Sequence, residues 1–292
     1  MSNKKFRKSL INQTATFSAL LLIFFCASFA QAAKARLDFD GDGKTDEAVY
    51  RCITATTLCY LLALKSSDNT LYAVQWGGLD PLLPFRTPLF MPQDYDGDGK
   101  ADPAVVLNGR WYVLQSSNNQ LLVGDAGITG EVQAVRGNYD GDGKADFAAT
   151  RPETSFNRIY WYIRQSSDGA TTRQQWGSPG RDIAIQGDYD GDGKTDLAVW
   201  AGGCEGRGGG YWYWLRSSDN QLSAVRWGYS DGCGGGGDFP VPDDYDGDGK
   251  IDVAVVRHLS STDPPYYYIL GSRDGFRAIQ WGLNSDIIVR IP

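Results

Sequence analysis

A nine-residue acidic segment recurs five times in this chain: DFDGDGKTD (38–46), DYDGDGKAD (94–102), NYDGDGKAD (138–146), DYDGDGKTD (188–196) and DYDGDGKID (244–252). Successive copies start 56, 44, 50 and 56 residues apart. Nothing else in the sequence restricts the fold as much, because a period of that size marks one supersecondary unit arrayed several times. Each copy is followed by an apolar stretch such as LAVW (197–200) or VAVV (253–256). Next comes an aromatic stretch: WYVL (111–114), WYIR (161–164), WYWL (212–215) or YYIL (267–270). A turn follows, as SSDN (66–69), SSNN (116–119), SSDG (166–169), SSDN (217–220) or the looser SRDG (272–275). The unit closes on QWG (75–77, 175–177, 280–282) or RWG (226–228).

These short β-branched and aromatic segments, punctuated by Gly, Asp, Asn and Ser, read as strands, and no long 3.6-residue period competes with them. Each unit is therefore strand, acidic loop, strand, loop, strand, Ser turn, strand. Four antiparallel strands in about 50 residues is the size of a propeller blade. The expected fold is all-β, a β-propeller of five four-stranded blades, since a closed ring shields the sheet edges that a solenoid leaves bare. The C-terminal DIIVRIP (286–292) resembles the first strand of a unit, DIAIQGD (182–188), but no acidic loop follows it. It is expected to complete blade one and latch the ring, so that residues 33–292 form one domain and a monomer.

Residues 1–32 read as a signal peptide. Lys4, Lys5, Arg7 and Lys8 form a basic start, residues 17–29 a short apolar core, and Ala30-Gln31-Ala32 a cleavage site. A retained anchor is the alternative. The mature chain is expected to be secreted, with no membrane span after cleavage. Its cysteines, Cys52, Cys59, Cys204 and Cys233, are then even in number and outside the cytosol, where they pair. Three connectivities are possible; short separation favours Cys52–Cys59 with Cys204–Cys233. Zinc is the competing reading, poorly served by a chain whose one histidine is His258. Loss of the leader's four cations takes the formal charge from −7 to about −11. No basic surface suited to nucleic acid is readable in such a chain.

That acidity is concentrated in the loops. Counting from the first residue of each, carboxylates stand at positions one, three, five and nine: Asp38, Asp40, Asp42 and Asp46; Asp94, Asp96, Asp98 and Asp102; Asp188, Asp190, Asp192 and Asp196; Asp244, Asp246, Asp248 and Asp252. The third loop has Asn138 with Asp140, Asp142 and Asp146, and the lower charge of Asn138 predicts a weaker site. Nineteen of the chain's 35 acidic residues lie at these positions, where they repel one another unless a cation sits among them. Calcium, a hard ion taking six to eight oxygens, fits best. The backbone carbonyls of Lys44, Lys100, Lys144, Lys194 and Lys250 are the expected further ligands, giving about five structural ions. An EF-hand is excluded, because position twelve is Val49, Val105, Ala149, Val199 or Val255 instead of Glu, and the flanks are strands. The plainer reading, Asp-Gly hairpin turns, explains one copy but not five that all keep the carboxylate spacing.

The DxDxDGxxD loop between strands resembles the calcium loops of FG-GAP repeat propellers, and the whole unit is similar to bacterial VCBS/FG-GAP-like repeats. The resemblance implies structural calcium on one face and adhesion or ligand binding, often to glycans or proteins. Familiar members have seven blades, whereas five units are present here. Unit two also lacks the WG pair in LLVGDAGITG (121–130), so its outer strand is expected to be irregular.

Function is expected on the opposite face, where the loops vary on a rigid scaffold. Arg86, Arg158, Glu205, Arg207, Tyr211, Trp212, Tyr229, His258 and Tyr266 are its candidate ligand contacts. Trp76, Trp176, Trp227 and Trp281 recur in register and read as packing between blades; Trp111, Trp161 and Trp212 read as half core, half surface. No catalytic constellation is legible, which favours a non-catalytic module binding glycan or protein. A polysaccharide-active lyase or hydrolase on the same scaffold is the alternative.

Overall fold

The computed structural model describes residues 37–44, 46–53, 58–78, 89–180, 182–202, 209–229, 237–259 and 264–280. They form a five-bladed β-propeller of antiparallel sheets. Blade one contains β1 (Glu47–Ile53), β2 (Leu58–Leu64) and β3 (Leu71–Gly78); blade two β4 (Leu89–Phe90), β5 (Ala104–Leu107), β6 (Arg110–Leu114) and β7 (Leu121–Asp125). Blade three contains β8 (Gln133–Val135), β9 (Phe147–Glu153), β10 (Arg158–Arg164) and β11 (Thr171–Gln175). Blade four is β12 (Asp182–Ala184), β13 (Leu197–Gly202), β14 (Gly210–Leu215) and β15 (Leu222–Arg226); blade five is β16 (Phe239–Pro240), β17 (Val253–Arg257), β18 (Tyr266–Gly271) and β19 (Gly275–Gln280). Strand order follows chain order within every blade. The expected fourth strand of blade one, 286–292, lies outside the described residues, as do the leader 1–32 and the Cys204–Cys233 pair.

Burial explains which segment became which strand. The continuous apolar runs, β5, β13 and β17, are buried almost throughout, because a neighbouring blade covers each face. The third strand alternates, as in β10, and the fourth is exposed, as in β11. The core accordingly lies between blades. One cluster joins Val135, Ala148 and Trp161 of blade three to Ala184, Leu197 and Val199 of blade four. Another joins Trp200 and Trp212 to Ile251, Val253 and Val255 of blade five.

The tryptophans divide by role. Trp76 and Trp227 reach into the next blade, donating their indole N–H to the carbonyls of Tyr112 (3.1 Å) and Tyr268 (3.0 Å). Trp111, Trp161 and Trp212 are wholly buried, correcting the half-surface reading. Trp161 and Trp212 donate to the carbonyls of Trp176 (2.9 Å) and Trp227 (3.0 Å), so these two WG turns are also clamped from within their own blades. In blade two, which lacks WG, the Trp111 N–H meets no such carbonyl.

The outer strand of that blade is nonetheless regular. β7 pairs with β6 from Leu121 to Asp125, contrary to the expected irregularity. Phe147 of blade three supplies the missing bulk. Its ring stacks on Tyr95 (5.5 Å) and tilts against Trp111 (5.8 Å), and a Cβ on Gly124 would fall 2.1 Å from it. Gly124→Ala is therefore expected to cost about 2 kcal/mol by overpacking. Adding Phe147→Leu should recover most of that loss. Urea denaturation of the two single variants and the double variant checks this, and additive losses would show that the two sites do not share a space.

Cys52 and Cys59 face each other across the β1–β2 hairpin and are joined by a disulfide, as expected. No helix among the described residues is long and apolar enough to cross a membrane.

Candidate metal centres and the opposite loop face

Each acidic loop lies ahead of the second strand of its blade, or in blade one ahead of β1, and folds around its first residue. Asp38 Oδ1 accepts from the N–H of Gly41 (2.6 Å) and Asp42 (3.2 Å), and Oδ2 from that of Gly43 (2.8 Å). Asp94, Asp188 and Asp244 repeat the contacts to the fourth- and sixth-position glycines. These glycines adopt φ near +85°, as at Gly41 and Gly43, which side chains other than glycine's rarely tolerate. Asn138 accepts through its one carbonyl oxygen from Gly141 (2.8 Å), so the third loop is held by a weaker head.

The Ser turn, read from sequence only as a turn between strands, docks on this loop. Ser66 donates its N–H to the ninth-position Asp46 (2.7 Å) and its hydroxyl to Asp42 (2.9 Å), while the Ser67 hydroxyl reaches Asp40 (2.5 Å). Ser116 and Ser117, Ser166 and Ser167, and Ser217 and Ser218 make the same contacts in blades two to four. In blade five Ser272 keeps its place, but Arg273 replaces the second serine and donates its backbone N–H to Asp246 (2.9 Å). The signal was available in the sequence: a Ser turn accompanies every acidic loop, once per unit.

A second connection runs between blades. The N–H of Ala101 donates to the carbonyl of Asp38 (2.5 Å), that of Ala145 to Asp94 (2.7 Å), Thr195 to Asn138 (2.8 Å) and Ile251 to Asp188 (2.7 Å). The Lys100, Lys144, Lys194 and Lys250 side chains lie over Gly41, Gly97, Gly141 and Gly191 of the preceding loops. Loops one to five thus form a hydrogen-bonded chain along one face.

Among the described residues, four loops each bring three carboxylates to within 4.8 Å of one another. The groups are Asp38, Asp40 and Asp42; Asp94, Asp96 and Asp102; Asp188, Asp190 and Asp196; and Asp244, Asp246 and Asp248. Such clusters can hold a metal ion, and the donor set fits a hard cation. Asp246 Oδ1 supports the fit directly: it is buried and has no hydrogen-bond partner.

The electrostatics agree. Burial pushes the Asp196 carboxyl up to about 7 and Asp146 up to about 6, and it also raises Asp102, Asp188 and Asp252. Asp40 is held low by the Ser67 hydroxyl; at Asp140 burial opposes the shift, but the Ser167 hydroxyl and backbone donors still bring it down. The raised groups set the neutral range. Without a cation the folded chain keeps protons that the unfolded chain releases above about pH 4, so their contribution is present below that pH and lost as pH rises towards 7. Metal-free protein is thus expected to melt at a higher temperature at pH 5 than at pH 7.5. A stripped sample whose melting temperature stays level or rises over that range contradicts the expectation.

The opposite face gathers part of the expected set. Tyr211 is half-buried and stacks on Tyr213 (6.1 Å) with Arg226 5.8 Å from its ring; Tyr266 stacks on Tyr268 (6.1 Å). Tyr229, His258 and Arg158 are exposed. Trp212 is fully buried in the core between blades four and five and offers no ligand surface, a correction to its place among the contacts. Arg86, Glu205 and Arg207 lie outside the described residues.

Sequence reading missed Arg257 and Asp238. The Asp238 side chain is fully buried and takes two bonds from the guanidinium (2.5 and 2.8 Å) while accepting from the Tyr229 N–H (2.6 Å). Arg257 also lies 4.8 Å from the Tyr268 ring and 5.8 Å from that of Tyr229, joining blades four and five beside the candidate contacts. Each half has counterparts: Asp182 accepts the Ser178 N–H as Asp238 accepts that of Tyr229, and Arg51 and Arg151 hold the register position of Arg257.

Residues 138–199 and 188–255 each match a sequence-family profile described as FG-GAP-like repeat. A search of curated proteins found no match to the chain.

Proposed function

With FG-GAP-like repeats in the chain as the premise, we propose that it is an exported, calcium-stabilised propeller that binds glycan or protein ligands without catalysis. Calcium would be held by the carboxylates at positions one, three, five and nine and by the carbonyls of Lys44, Lys100, Lys144, Lys194 and Lys250. It would supply charge neutralisation and loop rigidity. The gathered aspartates are held by backbone and serine donors, an arrangement suited to fixing a loop around a cation. Export is supported by the Cys52–Cys59 disulfide together with the leader-like N-terminus.

The observation that carries the binding reading is Tyr229 beside Arg257 and Tyr268, with Tyr266 stacked on Tyr268 and Tyr211 beside Arg226, at strand ends away from the acidic loops. Half-exposed aromatic rings beside fixed guanidinium groups suit sugar rings and peptide side chains. The test is a glycan and matrix-protein array probed with purified protein in calcium. Tyr229→Ala with Tyr266→Ala is expected to abolish the strongest signals while leaving thermal melting nearly unchanged. Signals that survive both substitutions would move the binding site elsewhere.

A further inference from the structure

The strand registers place the same three side chains in line across three blades. Arg51, Tyr60 and Gln75 are directly opposed on β1, β2 and β3. Arg151, Tyr160 and Gln175 are opposed on β9, β10 and β11, and Arg257, Tyr266 and Gln280 on β17, β18 and β19. Opposed residues project from the same side of a sheet, so each row presents guanidinium, phenol and amide together over about 10 Å.

Two of the rows are used internally. Arg151 donates to the Thr129 carbonyl (2.6 Å), and the guanidinium of Arg173 covers the Tyr160 ring at 3.5 Å. Arg257 is held by Asp238, and Tyr266 stacks on Tyr268. Blade one differs. Arg51 and Gln75 are exposed, Tyr60 is half-buried, and the three side chains have no hydrogen-bond or ion-pair partner among the described residues. The next pair along the hairpin is the Cys52–Cys59 disulfide, which fixes the backbone carrying Arg51 and Tyr60. A row whose donors are unspent among the described residues is thereby held at the end of the sheet remote from the acidic loop.

We propose that Arg51, Tyr60 and Gln75 form a saccharide site selective for sugars bearing a carboxylate. This site is separate from the Tyr211, Tyr229 and Tyr266 set, and it rests on the reading of the chain as a binding module. The Tyr60 ring would face the C–H side of a pyranose, the planar fork of Arg51 would pair with the carboxylate through two parallel bonds, and the Gln75 amide would meet ring hydroxyls. Charge placement agrees with this chemistry. Beyond residue 34, every lysine except Lys65 lies in an acidic loop, so the cations of the remaining surface are arginines. An acidic sugar is thus met by forked guanidinium groups here, and by carboxylates on the other face.

The test uses the full mature protein in calcium and a hexasaccharide of alternating glucuronate and N-acetylglucosamine. Its carboxyl-reduced counterpart serves as the neutral probe. Calorimetry is expected to show at least about tenfold tighter binding of the acidic form. Arg51→Ala should remove that preference, Arg51→Lys restore only part of it, and Tyr60→Ala weaken both forms equally. Gln175→Ala, in the occupied row of blade three, should change nothing. Equal affinity for the two probes, no binding of either, or a preference that survives Arg51→Ala in protein of unchanged melting temperature would overturn the proposal. Array signals from carboxylated glycans that are lost with Tyr229 and Tyr266 but kept in Arg51→Ala would overturn this site alone and leave the broader binding reading standing.

Discussion

Stripping calcium from the protein is expected to lower its melting temperature by about 20 °C at neutral pH. Each site proposed to bind calcium would stabilise the native state by mass action, about 2.7 kcal/mol when free ion stands at a hundred times the dissociation constant. Four fully acidic loops would together contribute about 10 kcal/mol, and a chain of this size shifts by about 2 °C or more per kcal/mol. The reason lies in the buried ninth-position carboxylates. Asp102, Asp146, Asp196 and Asp252 are shielded from water while their neighbours carry like charge. Scanning calorimetry with EGTA and with excess calcium decides the matter, and coincident curves would remove calcium from the account of stability. A second arm is more specific. Asn138→Asp, which completes the set in the third loop, should widen the gap between the curves.

Asp196→Ala is expected to be the most damaging single substitution in the acidic loops, costing about 3–5 kcal/mol even without metal. Its side chain is fully buried; Oδ1 accepts the Ser217 N–H at 2.7 Å and Oδ2 the Tyr189 N–H at 3.0 Å. Removal leaves two donors unpaired, frees the Ser turn from the loop and deletes a cation ligand. Asp196→Asn separates the effects. It keeps one acceptor, so it should retain much of the metal-free stability but lose about a quarter of the calcium-induced gain, the share of its own loop. Urea titrations with and without calcium measure both parts. An Asn variant stabilised by calcium as strongly as the parent would show that Asp196 is no ligand.

Much of the architecture was legible because it repeats. The acidic loops, the strand sequence within each unit, the inter-blade role of Trp76 and Trp227, and the Cys52–Cys59 bridge all follow from residues that recur or stand close in the chain. What escaped reading depends on contacts between units that differ. Phe147 replaces bulk absent from Gly124 in the preceding blade, and only the juxtaposition of the two reveals the exchange. Trp111, Trp161 and Trp212 alternate with tyrosines, a pattern that fits either face of a strand until the neighbouring blade is in place. The Asp238–Arg257 pair joins residues 19 apart that no short motif links, so it was not read from the sequence. At the candidate metal centres the carboxylate spacing was plain. The docking of Ser66, Ser67 and their counterparts was not, because turn chemistry alone accounts for serine at those positions.

The lysine laid over the preceding blade's glycine has an evolutionary corollary. The reaching side chain and the surface that receives it are encoded in the same nine residues, as are the N–H and carbonyl that join adjacent loops. Any unit copied and spliced beside another would carry a matching half of the joint on each flank. Tandem duplication or deletion could therefore change the number of units without inventing a new interface, leaving curvature as the remaining constraint on ring size.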